Sequence, residues 1–236
     1  MLTGALMAGA AFVAGVLNTA GGGGAILSFL VLTGAGVAPL TAHATNQFVT
    51  PLSFASAAFR LRGARPRVAP LLAGCAGTVA GVAILASVPP GAFQAVAPWV
   101  LVPAAVLVAV QGRDPVRHTG RSVSLAAMLG CGVYAGMIGV GTGTLVLVVL
   151  GLAAPGRSLN RLLPLRNVLC LGMAVVVAGA FALTGLVDWA LATLLGGPAV
   201  LGGMVGTRLV GRLPDPMLRT GVVLTATAGA AWLLLR

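Results

Sequence analysis

Hydrophobic positions fall in long unbroken runs, and the charged positions collect in short gaps between them. Residues 2–39 and 40–59 carry no charge. After a gap at 60–67 come apolar runs at 68–88 and 93–110, separated by the turn Pro89-Pro90-Gly91. A second series follows the gap at 111–121. Residues 122–154 are uncharged, 162–182 carry one Arg, 189–207 are uncharged and 217–235 carry one Arg. Runs of about 18–21 residues match the roughly 30 Å hydrocarbon core of a bilayer, so the pattern predicts transmembrane helices.

The runs at 2–39 and 122–154 are too long for one straight span. The first contains Gly21-Gly22-Gly23-Gly24 and the second Gly139-Val140-Gly141-Thr142-Gly143-Thr144. Glycine holds a helix poorly, so each run is expected to be two helical arms joined by an unwound glycine tip. A constant shift of 121 positions carries Ala14-Gly15 onto Ala135-Gly136, Gly22 onto Gly143, Asn46 onto Asn167, Ala69 onto Ala190 and Gly81 onto Gly202. The chain therefore reads as a duplication, residues 1–121 and 122–236, with five helical segments in each half.

Composition agrees with a lipid environment. Apolar residues make up 58% of the chain and charged residues 7%, against about 25% charged in a soluble domain. The net charge of +11 comes from 14 basic residues, all Arg, against three Asp. Nucleic-acid binding is not expected, because no gap forms a basic surface interleaved with aromatics. The Arg residues lie almost entirely in the gaps, as the positive-inside rule predicts for cytoplasmic loops. Cys75, Cys131 and Cys170 sit inside apolar runs without metal-ligand spacing and read as small core residues. The start, Met1-Leu2-Thr3-Gly4, has no basic stretch, so the first run is expected to be retained.

Arg placement also orients the two copies. The gap before Val68 holds Arg60, Arg62, Arg65 and Arg67, while its counterpart at 184–188 has none. The Pro89-Pro90 turn has no basic residue, whereas its counterpart is flanked by Arg208, Arg212 and Arg219. Equivalent loops then lie on opposite sides of the membrane, which predicts an inverted-topology repeat of the kind transporters use. With the N-terminus outside, the gaps at 60–67, 113–121, 157–161 and 208–219 are cytoplasmic.

Unwound backbone in a membrane survives only where it packs in protein or lines a cavity. A helix beginning at such a tip aims its positive end and its free N–H groups inward, which favours an anion. Two tips from inverted repeats would meet near the midplane. The alternative for small residues is close helix packing, and Gly77xxxGly81 and Gly202xxxGly206 fit that reading. After the first tip, His43, Asn46, Thr50 and Ser53 share one helical face, with Thr45 and Gln47 beside it and Pro51 as a candidate kink. The matching stretch reads Pro164-Leu165-Arg166-Asn167, with Cys170 one turn on. Asn46 and Asn167 either contact substrate or bond between helices. Arg166 either contacts an anion or snorkels to the surface from about 7 Å below Arg161. Asp114, Asp188 and Asp215 all lie in gaps, so no buried carboxylate relay is expected.

Ala14-Gly15, Gly21 to Gly24 and Ala44-Thr45-Asn46, echoed by Ala135-Gly136, Gly141-Thr142-Gly143 and Asn167, resemble the sulfite exporter TauE/SafE family of bacterial membrane proteins. The resemblance covers nearly the whole chain and implies a small permease of the bacterial cytoplasmic membrane exporting sulfite, organosulfonates or related sulfur anions. It carries Gly22, Gly23, Gly24, Thr45, Asn46, Gly141, Gly143 and Asn167 over as tip and site positions. His43, Thr142 and Arg166 complete the candidate substrate-binding set. Ser28 stands where a proline commonly follows the first glycine run, and Thr142 and Thr144 interrupt the second; these departures bear on the substrate, not the fold. The expectation is an all-α polytopic transporter working by alternating access, with the bilayer and a small anion as partners, no cofactor, and homodimerisation left open. A passive anion channel and a non-transporting scaffold or assembly factor are the alternatives. An enzyme is not expected, since no nucleophile–base pair or metal constellation stands out.

Overall fold

The computed structural model describes residues 2–20, 22–60, 68–87, 121–139, 141–154 and 159–210. Among them are eight helices and no strands. They are α1 (Leu2–Ala20), α2 (Gly24–Gly34), α3 (Pro39–Arg60), α4 (Val68–Ser87), α5 (Arg121–Met137), α6 (Thr142–Ala153), α7 (Leu159–Ala182) and α8 (Trp189–Val210). The apolar runs at 93–110 and 217–235, and most of the Arg-bearing gaps, lie outside the described residues. Helices α1, α4, α7 and α8 are long and apolar enough to cross a membrane. The chain is an all-α polytopic membrane protein. Outward-facing Leu6, Val13, Leu72, Val79, Val175 and Leu201 are exposed, as lipid-facing positions should be.

Helix α3 is also 22 residues long, yet it is too polar to stand among the spans picked out by hydropathy. Its polar side chains are turned into the bundle rather than toward lipid: His43, Thr45, Asn46, Gln47, Ser53 and Ser56 are all buried. The helix continues through Pro51, as α7 does through Pro164 and α8 through Pro198.

Two glycine-packed pairs frame the molecule: α1 runs parallel to α8, and α4 runs parallel to α5. A methyl group on Gly202 would strike the Phe12 carbonyl, and one on Gly81 the Val133 carbonyl. Likewise Gly15 abuts the Ala199 carbonyl and Gly136 the Thr78 carbonyl. Only glycine lets the backbones come this close. Between the pairs, α3 and α7 cross the centre antiparallel. His43 meets Phe181 near one end, and Arg166 lies over Phe54 near the other.

The glycine turns are shorter than the sequence suggested. Positive φ occurs at Gly22 and Gly23 in the first, and at Gly139 and Gly141 in the second. Gly24, Thr142, Gly143 and Thr144 already belong to helices. Helix α1 closes with a bond from the Gly22 N–H to the Leu17 carbonyl (2.8 Å), and α5 with one from the Gly139 N–H to the Tyr134 carbonyl (3.1 Å). Such five-residue-back bonds with a left-handed glycine satisfy one of the last-turn carbonyls and end the helix. Helix α5 stops about one turn earlier than a strict shift of 121 from α1 requires, so the gap-free alignment slips at the turns.

Candidate functional site

The chain reverses at the first turn, and α2 returns alongside α1 with Gly24 against the Ala14 carbonyl. Ala25 at its start is held from both sides. Its N–H donates to Asn18 Oδ1 (3.2 Å), and its carbonyl accepts from Asn46 Nδ2 (2.8 Å). At the second turn the Thr142 hydroxyl donates to the Gly139 carbonyl (2.9 Å). Gly23 and Gly141 occupy the N-cap positions of α2 and α6 without side-chain caps. In these opening turns the Ala25 N–H is taken by Asn18, and those of Ile26, Thr142 and Thr144 reach the Gly23, Gly139 and Gly141 carbonyls at 3.2, 3.5 and 2.9 Å. Both turns border one cavity of about 30 Å³, whose wall includes Asn18, Gly22, Gly23, Gly141, Thr142 and Gly143. That is room for about two water molecules.

Arg166 stands behind this wall. Of the Arg side chains described, Arg161 and Arg208 are exposed, whereas Arg166 has 0% exposure. It does not reach a membrane surface, so the snorkelling alternative fails. Burial is possible because its donors meet backbone carbonyls and an amide oxygen inside the bundle. Nε donates to the Gly143 carbonyl (2.9 Å), and Nη1 donates to Asn167 Oδ1 (2.8 Å) and the Thr19 carbonyl (3.3 Å). Thr19 lies in the last turn of α1, where carbonyls lack helical partners and the helix dipole is negative. Asn167 Nδ2 donates to the same carbonyl (3.4 Å).

Two features of this guanidinium remain open. Nη2 is buried without a hydrogen-bond partner. No carboxylate contacts it among the described residues; Asp188, the one acid described there, accepts from the Leu191 N–H (3.0 Å) and caps α8. Nη2 lies between Gly22 and Gly143: a methyl group at either would press on it. The two glycines are therefore the space the guanidinium occupies, and no side chain at 22 or 143 separates it from the cavity.

The remaining candidates divide. Gly22, Gly23, Gly141, Thr142 and Gly143 border the cavity, and Asn167 holds Arg166. Gly24 is spent on close contact with α1. His43 packs edge-on between Phe29 and Phe181. The Thr45 hydroxyl accepts from the Asp188 N–H (3.0 Å), and Asn46 clasps Ala25. None of these last three borders the cavity. Gln47, Thr50, Phe54, Cys170 and Met173 do. Asn18 was missed in the sequence, although a single amide three residues before the glycines of an apolar run was its signal.

A family model described as the sulfite exporter TauE/SafE matches residues 7–233 of the 236. No curated protein and no solved structure matches the chain. With the family model spanning almost the full length of an all-helical membrane bundle, the chain belongs to the sulfite exporter TauE/SafE family of membrane permeases.

Proposed function

We propose that this permease carries a small sulfur-containing anion, sulfite or an organosulfonate, out across a bacterial cytoplasmic membrane by alternating access. The observation that carries the reading is Arg166. A buried charge with no counter-ion is expensive, and here one donor nitrogen is left open at the meeting of two glycine turns. An anion entering the cavity would supply the missing charge and accept from Nη2. The positive dipole ends of α2 and α6 would add to the attraction.

The architecture is read as two inverted copies, 1–121 and 122–236, each with a glycine-tipped hairpin. The contacts that support this recur at the shift of 121: Gly81 on Val133 answers Gly202 on Phe12, and Gly136 on Thr78 answers Gly15 on Ala199. Corresponding helices α3 and α7 run antiparallel. Rocking of one copy against the other would then open the centre to alternate sides. A cavity of about 30 Å³ suits a closed state of such a carrier better than a standing pore.

Counterflow of [35S]sulfite in proteoliposomes tests the reading. Saturable exchange, absent from protein-free vesicles and inhibited by short alkylsulfonates, is the expected result. Vesicles that exchange no faster than protein-free controls, for sulfite or any sulfonate, would end it.

A further inference from the structure

A second, smaller cavity of about 10 Å³ lies beyond Asn18 and Thr50, which border both spaces. It has room for about one water molecule. From Asn18 it extends back along α1 past Ala14 to Ala11, and along α2 to Ser28. It therefore leads away from the glycine turns, toward the end of the molecule where α1 begins and α2 finishes. The partition between the two spaces is the clasp already described, in which Asn18 and Asn46 hold the N–H and the carbonyl of Ala25.

The polar wall consists of Asn18, Ser28, Asn46, Thr50 and Ser53. These side chains come from three helices and converge on one small space within a strongly apolar protein. Hydrogen bonding between helices is the plain explanation for such residues, but packing alone does not require them here. At the shift of 121 the positions of Ser28, Thr50 and Ser53 hold Val149, Leu171 and Ala174, and counted from the N-caps Gly23 and Gly141 the counterpart of Ser28 is Val146, again a valine. Hydroxyl and amide groups donate to an anion without adding a formal charge, so they attract it less than a guanidinium, whose donor is itself ionised. A space lined this way can receive an anion from Arg166 and release it again.

We propose that the smaller cavity is a second, weaker anion subsite on the exit route, and that the Asn18–Ala25–Asn46 clasp is the partition the anion crosses. This rests on the anion-carrier reading. In the closed state the space has room for about one water molecule, and it widens when α2 moves away from α1 and α3.

The test is the full-length double variant Ser28→Val/Ser53→Ala, which installs the residues found at the corresponding positions of the second half. Equilibrium sulfite binding is measured by calorimetry in detergent, and [35S]sulfite flux in proteoliposomes. Binding should stay within about twofold of wild type while flux falls at least about tenfold. The single variant Ser28→Ala, which removes one donor without filling the space, should give intermediate flux with unchanged binding. Unchanged flux in the double variant would overturn the proposal and leave the serines as packing residues. Binding and flux falling together would overturn it too, because the cavity would then not be separate from the primary site. Failure of wild-type protein to bind sulfite or a sulfonate would instead remove the anion-carrier reading beneath it.

Discussion

Thr19, in the last turn of α1, has a carbonyl that no helical N–H reaches, and both Arg166 and Asn167 donate to it. This pairing makes a buried guanidinium tolerable, and it leaves Nη2 as the uncommitted donor. Asn167 fixes Nη1 through a 2.8 Å bond, so Asn167→Leu should release the guanidinium from its aim. A hydrogen bond to a charged group contributes about 1.5–3 kcal/mol, and sulfite affinity measured by calorimetry should fall about tenfold or more. Gly143→Ala should act more strongly, since its methyl group would occupy the space of the guanidinium itself. Binding of wild-type strength in Gly143→Ala would show that Arg166 does not need that position. Asn46→Leu should behave differently from Asn167→Leu: it frees Ala25 rather than Arg166, so flux should drop more than affinity. At this scale the sequence was only partly legible. The charge of Arg166, the glycines and the polar face of α3 could be read. That Arg166 points inward could not, because the carbonyls receiving it come from α1 and α6, far away in sequence. Thr45 and Asn46 looked equivalent to Arg166 and Asn167 by position, yet their partners are Asp188 and Ala25.

Among the elements, the close pairs α1–α8 and α4–α5 depend on glycine at the crossing points. Overpacking a tight contact costs about 1–3 kcal/mol. Gly202→Ala and Gly81→Ala should each lower the melting temperature in detergent by several degrees, at about 2–4 °C per kcal/mol for a chain of this size. Gly9→Ala is the control, as nothing lies within 4 Å of a methyl group there, and its melting temperature should not fall, alanine being the better helix former. Equal effects at all three positions would argue against glycine-determined packing. The apolar runs made these helices legible, and Gly202xxxGly206 and Gly77xxxGly81 were readable as packing faces. Their pairing was not, because each face packs on a helix from the other half. Left-handed glycines lie at 22, 23, 139 and 141, a shorter stretch than the glycine-rich runs suggested. Glycine in the first turn of a helix keeps helical φ when packing holds it there, and Gly24 and Gly143 are held by Ala14 and Arg166.

For the whole molecule, the inverted-repeat reading requires that the loop at Gly63, outside the described residues, and the turn at Gly185 face opposite sides of the membrane. Single cysteines at those positions, in a protein lacking Cys75, Cys131 and Cys170, should label with a membrane-impermeant maleimide from opposite sides. Labelling of both from one side would exclude the inversion. Rocking of two such copies matters only if an anion is held between them, and that places the decisive charge at Arg166. The position 121 residues earlier is Thr45, so on the inverted-repeat reading Arg166 has no charged counterpart. The most direct test is therefore [35S]sulfite flux in proteoliposomes carrying equal amounts of wild type, Arg166→Lys and Arg166→Gln. Arg166→Lys should keep partial flux, because charge remains while the planar fork is lost. Arg166→Gln should fall at least about tenfold, to near the protein-free rate. Flux in correctly folded Arg166→Gln equal to that of wild type would contradict the central claim.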